Sequence, residues 1–182
     1  MTPTTPIREA ALNRQKNLTL DLLRRQAARR LKQIDAQLEA IDREILRRIA
    51  QDPVLARRFA ILCSIPGIGE TTASVFLIDM PELGALEPKQ AASLAGLAPL
   101  TRQSGTWTGH ARIRGGRARL RHALFMPALV AVRFNPDLAS VYQRLVQAGT
   151  PRKLAVVAVM RKLVLLANAL LRSNRYWTPE PA

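Results

Sequence analysis

The sequence predicts a mainly α-helical protein: a long coiled-coil helix followed by a compact helical domain with a helix-hairpin-helix-like element. Three observations predict it. Hydrophobic residues make up 48% of the 182 positions while aromatics make up only 4%, so Ala, Leu, Ile and Val must fill the core, which suits helices packed on helices. Residues 9–50 contain neither Pro nor Gly and are dominated by helix formers. Beyond them, Pro and Gly recur at intervals that cut the chain into short helical segments.

Taken in order, residues 1–8 carry two prolines and little to bury, and read as a disordered leader. In 9–50, Leu31, Ile34, Leu38, Ile41 and Ile45 follow the 3-4-3-4 spacing of a coiled-coil seam, which weakens backwards through Ala27, Arg24 and Leu20. A continuous helix of about 40 residues would be about 60 Å long. The same pattern is compatible with a helical hairpin bending near Asn17. Asp52-Pro53 restarts a helix, because Asp caps and Pro is tolerated in the first turn.

Residues 53–172 form the compact domain. A helix through Val54, Leu55, Phe59 and Leu62 meets Ile65-Pro66-Gly67-Ile68-Gly69, and a second helix follows from Thr71 to Met80. In a helix-hairpin-helix module, glycines such as Gly67 and Gly69 let backbone N–H groups approach a phosphate. A tight loop between two packed helices has the same pattern. A further helix spans 88–94 and ends at Gly96, residues 97–116 are irregular with room for a small hairpin, and three helices follow from about 117, 136 and 151. Residues 173–182 read as an extended tail.

Charge is distributed unevenly. Of 28 basic and 13 acidic residues, positions 1–87 hold 13 basic and 11 acidic, whereas 88–182 hold 15 basic and 2 acidic, with no carboxylate between Glu87 and Asp137. A net charge of +15 exceeds what solubility needs and points to a polyanion, nucleic acid before membrane. Arg161 and Lys162 interrupt the most apolar stretch, 154–171, which argues against a membrane span, and no signal peptide opens the chain; a cytoplasmic protein is expected. Cys63 is the single cysteine, so an internal disulfide is excluded, and it reads as a buried small hydrophobe.

The segment from 102 to 121 carries the chemistry. Ser104 stands beside Gly105 in a loop, surrounded by Arg102, Arg112, Arg114, Arg117, Arg119 and Arg121. Arginines hold phosphates and stabilise charge on an attacked phosphorus. A Ser-Gly turn is also an ordinary turn, and the arginines then form a plain phosphate-binding face. Arg114, Arg117 and Arg121 are at helical spacing. Trp107 either stacks on an unpaired base or anchors the loop. Eleven of thirteen carboxylates precede residue 88, and His110 and His122 make no metal site by themselves, so a self-sufficient metal nuclease is not expected.

The run from Ile65 to Leu171 resembles the C-terminal transposase domain of the IS-one-ten group of insertion sequences, relatives of the Piv invertases. The resemblance rests on Ile-Pro-Gly-Ile-Gly at 65–69, Leu-Ala-Gly-Leu-Ala-Pro at 94–99, Ser-Gly-Thr at 104–106 and Ile-Arg-Gly-Gly-Arg at 113–117 with Arg121. It continues with Arg-Phe-Asn-Pro at 133–136, Tyr142 and Val-Met-Arg-Lys-Leu at 159–163. It implies DNA binding and strand exchange with Ser104 as nucleophile, oligomers through the coiled coil, and a structured guide RNA. It also implies an acidic, magnesium-bearing RuvC-like domain as the partner half, for which this sequence has no counterpart. A dimerising, non-catalytic nucleic-acid-binding module, such as a regulator or a transposase remnant, is the alternative reading.

Overall fold

The computed structural model describes residues 6–16, 20–100, 103–104, 107–108, 112–113 and 115–179. Its backbone divides into two compact units, residues 1–52 and 53–182. The chain is mainly helical, as its composition predicts.

In the first unit, α1 (Pro6–Lys16) packs against α2 (Asp21–Gln51), and Arg8 Nε donates to Asp35 Oδ1 at 2.6 Å. The expected continuous helix is therefore two helices. Folding α1 back brings chain 27 residues apart into contact, and Leu31 of the seam is 8% exposed. The bend expected near Asn17 lies outside the described residues, as do residues 1–5 of the leader; Pro6 to Arg8 belong to α1. The seam is only partly covered: Ile34, Leu38 and Ile45 are half-buried, and Ile41 is 56% exposed. On the polar side Glu44 accepts from Arg47 and Arg48, one turn on, and those bonds lower its carboxyl to about 2.

The second unit is built on one helix. Its elements are α3 (Pro53–Cys63), α4 (Glu70–Asp79), α5 (Pro88–Leu94), four two-residue strands between 99 and 113, α6 (Ala118–Ala123), α7 (Phe125–Phe134), α8 (Pro136–Gln147) and α9 (Arg152–Arg172). α9 touches α3, α5, α7 and α8. It buries Ala155, Val156, Val159, Met160, Leu163, Val164, Ala167 and Leu170, a 3-4 stripe widened to much of the circumference. Among the described residues α9 is the helix long and apolar enough to cross a membrane, and half of its apolar stretch is buried in this core. Cys63 is half-buried, and burial pushes its thiol up to about 11.

The helix expected from 117 to 133 is broken at Leu124 into α6 and α7. Pro127, at the third position of α7, has no N–H for the Ala123 carbonyl, and its ring would collide with that carbonyl in an unbroken helix. Between α7 and α8, Asn135 caps α8 through Oδ1, which accepts from Leu138 N–H at 3.2 Å, and Pro136 fills the first position.

One buried polar residue ties α9 to the loop before α5. Asn168 is 3% exposed; its Oδ1 accepts from Gly84 N–H at 2.7 Å and its Nδ2 donates to the Leu86 carbonyl at 2.8 Å. Leu at 168 fits the volume and leaves the Gly84 N–H unpaired, while the Leu86 carbonyl keeps its bond from Arg172. Asn168→Leu is expected to destabilise the second unit by about 1–3 kcal/mol in chemical denaturation. A change below about half a kcal/mol would mean that water satisfies the Gly84 N–H.

Candidate nucleic-acid interface

The described residues of the irregular stretch make two short antiparallel pairs, here called the ribbon. β1 (Pro99–Leu100) pairs antiparallel with β4 (Arg112–Ile113), and β2 (Gln103–Ser104) pairs antiparallel with β3 (Trp107–Thr108). Ser104 stands opposite Trp107 in the outer pair, and Arg112 opposite Leu100 in the inner one. Ser104, Trp107 and Arg112 are described by backbone alone, and Arg102 and Arg114 lie outside the described residues.

The foot of this ribbon is a contact of backbone on backbone. Gly96, after α5, has φ +67, and Gly116, before α6, has φ +63. A Cβ on Gly116 would stand 2.2 Å from Gly96 N and 2.7 Å from the Leu94 carbonyl; a Cβ on Gly96 would stand 2.3 Å from the Gly115 carbonyl. The Arg117 N–H donates to Leu94 O at 2.8 Å, closing the crossing. Arg121 Nη1 clamps it by donating to Gly115 O at 2.7 Å and, at 3.5 Å, to Gly96 O.

These positive φ angles also settle the reading of Arg114, Arg117 and Arg121 as one helix face. Gly115 (φ +76) and Gly116 cannot continue a right-handed helix, so α6 starts at Ala118 with Arg117 as its N-cap residue. The expected helix face therefore does not run back past Gly116, and Arg114 lies outside the described residues. Arg117 Nη2 meets Glu82 Oε1 at 2.5 Å, and Arg119 Nε lies 3.4 Å from Asp79 Oδ2. The two carboxylates come from the end of α4 and the loop after it, so the acid-free span from 88 to 136 is neutralised in part from elsewhere in the chain. Arg117 holds the Glu82 carboxyl below its ordinary value. That depression stabilises the fold above the unfolded carboxyl value, and the contribution disappears as pH falls through the folded one.

The Pro-Gly-Ile-Gly turn joins α3 and α4, as expected. Gly67 has φ +104, and a Cβ there would stand 2.6 Å from the Pro127 carbonyl and 2.9 Å from Ala131 of α7. Helix packing therefore accounts for this glycine. Gly69 is different: it precedes α4 with open space at its Cα. The sequence did not point to Asp79 and Glu82 as arginine partners, because pairs 35 and 40 residues apart leave no local signal. Among the described residues no group of three or more His, Cys, Asp or Glu side chains is placed to hold a metal ion.

Two neighbouring glycines test the crossing. Both have positive φ, yet a Cβ on Gly115 meets nothing within 4 Å. Gly115→Ala is expected to cost about 1 kcal/mol, the left-handed strain alone. Gly116→Ala adds a collision with rigid backbone and is expected to cost about 3 kcal/mol or more by thermal or chemical melting. Equal effects would mean that the crossing opens freely.

Residues 59–143 match the family model described as Transposase IS116/IS110/IS902 family. The matched range includes the turn at 66–69, the glycine crossing and the whole ribbon. The chain is 36% identical over 140 residues to the pilin gene-inverting protein of Moraxella bovis, covering 74% of this chain and 43% of that protein. It is 30% identical over 162 residues to the insertion element IS110 uncharacterized 43.6 kDa protein of Streptomyces coelicolor, covering 87% of this chain and 39% of that one. It is 31% identical over 156 residues to the insertion element IS116 uncharacterized 44.8 kDa protein of Streptomyces clavuligerus, at 85% and 38%. The chain spans less than half the length of these relatives. Through these shared residues it belongs to the IS116/IS110/IS902 family of transposases.

Proposed function

We propose that this chain is the DNA-binding and strand-exchange part of an insertion-sequence transposase, with Ser104 as the nucleophile. The observation that carries the reading is the family match over 59–143, which encloses the ribbon bearing Ser104 and all six nearby arginines. The Ser104 hydroxyl oxygen forms a bond to a DNA phosphorus, the bond from that phosphorus to a sugar oxygen breaks, and the departing oxygen takes up a proton. The hydroxyl proton passes to a base on a RuvC-like acidic partner half, since a serine hydroxyl is a weak nucleophile at neutral pH. Arg102, Arg112, Arg114 and Arg121 hold phosphates around the attack, with Arg117 and Arg119 at the foot and Gly69 at the start of α4 giving backbone contacts. Trp107 stacks on a base beside the ribbon. A structured guide RNA selects the target, and the assembly works in the cytoplasm.

The chain by itself is expected to bind DNA with an affinity that falls with salt, at a log–log slope of about 0.9 per phosphate contacted, and to leave the DNA intact. With the acidic half, guide RNA and target DNA added, a protein–DNA adduct that survives denaturant is expected. Ser104→Ala should abolish the adduct and leave DNA affinity nearly unchanged, because a single hydroxyl adds little beside the arginines. An adduct that persists in Ser104→Ala would remove this residue from the chemistry, and a salt-independent affinity would remove the phosphate contacts.

The first unit serves as the oligomerisation arm. Ile41 and Leu20, which share the register of the seam, are more than half exposed, and Leu22 beside it is exposed as well. Light scattering is expected to find an oligomer at micromolar concentration, and Leu38→Asp combined with Ile41→Asp to give a monomer whose second unit melts as before. A monomeric parent protein would mean that the seam is satisfied by α1 alone.

A further inference from the structure

Between the foot of the ribbon and α9 lies a recess of about 380 Å³ that is open to solvent. Ile113 of β4, Phe125 of α7, and Val157 and Met160 of α9 form its walls, which are almost wholly apolar. Arg121, His122 and Lys153 also line it. Among the described residues none of these three is ion-paired with a carboxylate, in contrast to Arg117 and Arg119 immediately upstream. Phe125 is 41% exposed and Ile113 37%, so both present apolar surface to solvent at this place. Phe125 presents a ring at the start of α7, where the break imposed by Pro127 redirects the chain.

An apolar slot with an accessible ring and unbalanced cations matches one chemistry. A nucleobase offers two apolar faces to the walls, and its flanking phosphates offer charge to the cations. A paired base is stacked inside its duplex and does not reach such a slot, so the ligand is an unpaired one. We propose that this cavity takes one extruded or unpaired base of a single DNA strand, with the adjoining phosphates on Arg121, His122 and Lys153. The inference rests on the reading of the ribbon as a DNA-handling element, and the strand is DNA because Ile113 makes one wall of the cavity from the same ribbon. Arg121 joins the two: its Nη1 clamps the glycine crossing while its charge faces the slot. A captured base therefore fixes the strand relative to the ribbon's foot.

The test uses the full chain and a single-stranded oligodeoxynucleotide carrying one 2-aminopurine, with an unlabelled blunt duplex and an RNA strand of the same sequence as comparisons. Wild type is expected to quench the 2-aminopurine on binding. Phe125→Ala, a change at an exposed position, is expected to remove most of the quenching and weaken single-strand binding about tenfold, with duplex affinity unchanged. Val157→Trp fills the slot from α9 and is expected to act the same way; thermal melts of both variants establish that they are folded, and Phe125→Ala stands if the larger residue does not fold. Lys153→Ala should weaken the single strand without removing the quench. Duplex binding that stays salt-dependent while quenching is unaffected by Phe125→Ala would overturn the cavity and leave the proposed function standing. No binding of any DNA would overturn both. A pocket dependence seen with the RNA strand alone, or a Phe125→Ala variant altered only in oligomer size, would assign the cavity to RNA or to a second copy and overturn the proposal.

Discussion

The second unit depends on the need to cover α9. A 21-residue helix, about 31 Å long, with apolar residues on most of its circumference cannot stand in water. One flat partner would cover a stripe; here α3, α5, α7 and α8 each take a share. Small residues set how closely they approach. Ala155 and Ala167 on α9, Ala128 and Ala131 on α7 and Ala91 on α5 are fully buried, so the core gains density from close helix approach where aromatic bulk is scarce. The tail follows the same logic. Trp177 packs against the core and donates its backbone N–H to Ser64 Oγ at 2.9 Å, while Arg57 lies 4.2 Å from the centre of the Tyr176 ring.

With the helices so placed, α5 and α6 meet at the point from which the ribbon leaves the core. Two successive chain reversals occupy that point, and only glycine can supply both the left-handed angles and the missing Cβ atoms. Gly96 and Gly116 thus convert a loop of about twenty residues into a ribbon with a fixed foot, which removes much of the entropy an untethered loop would lose on binding. Arg121 is part of that foot, and so its position is set by the fold before any ligand arrives.

Much of this was legible from residue order. The Pro and Gly positions place α3, α4, α5, α8 and α9 to within a residue or two, since each acts through local backbone geometry. Pro127 was legible in principle, because a proline inside an apolar helical pattern removes an N–H, yet the pattern around it continues unbroken on both sides. The α1–α2 hairpin was one of two readings open to the periodicity, which is the same for an arm that folds on itself and one that pairs with a copy. What local pattern cannot give is the partner of a charge. Arg117 and Arg119 look identical in sequence to Arg112 and Arg114, and the cavity behind Ile113 draws on three separated segments, so neither its aromatic wall nor Lys153 stood out.

The pairing of those arginines grades the surface more than it cancels it. Arg119 is 71% exposed in its side chain and lies 3.4 Å from a largely covered Asp79, a geometry whose net worth is typically under about 1 kcal/mol. A phosphate approaching from solvent competes with that carboxylate on nearly equal terms, and the ionic strength of the medium weakens both. Arg117 is more enclosed, with its partner Glu82 covered to a similar degree at 2.5 Å, and it is the costlier of the two to redirect. Arg121 has carbonyls in place of a carboxylate: they orient the guanidinium and leave its whole positive charge uncompensated. Attraction for an anion therefore increases from Arg117 through Arg119 to Arg121. The net charge of the chain says only that a polyanion is welcome; the partners of each arginine say how much of its charge is left to attract one.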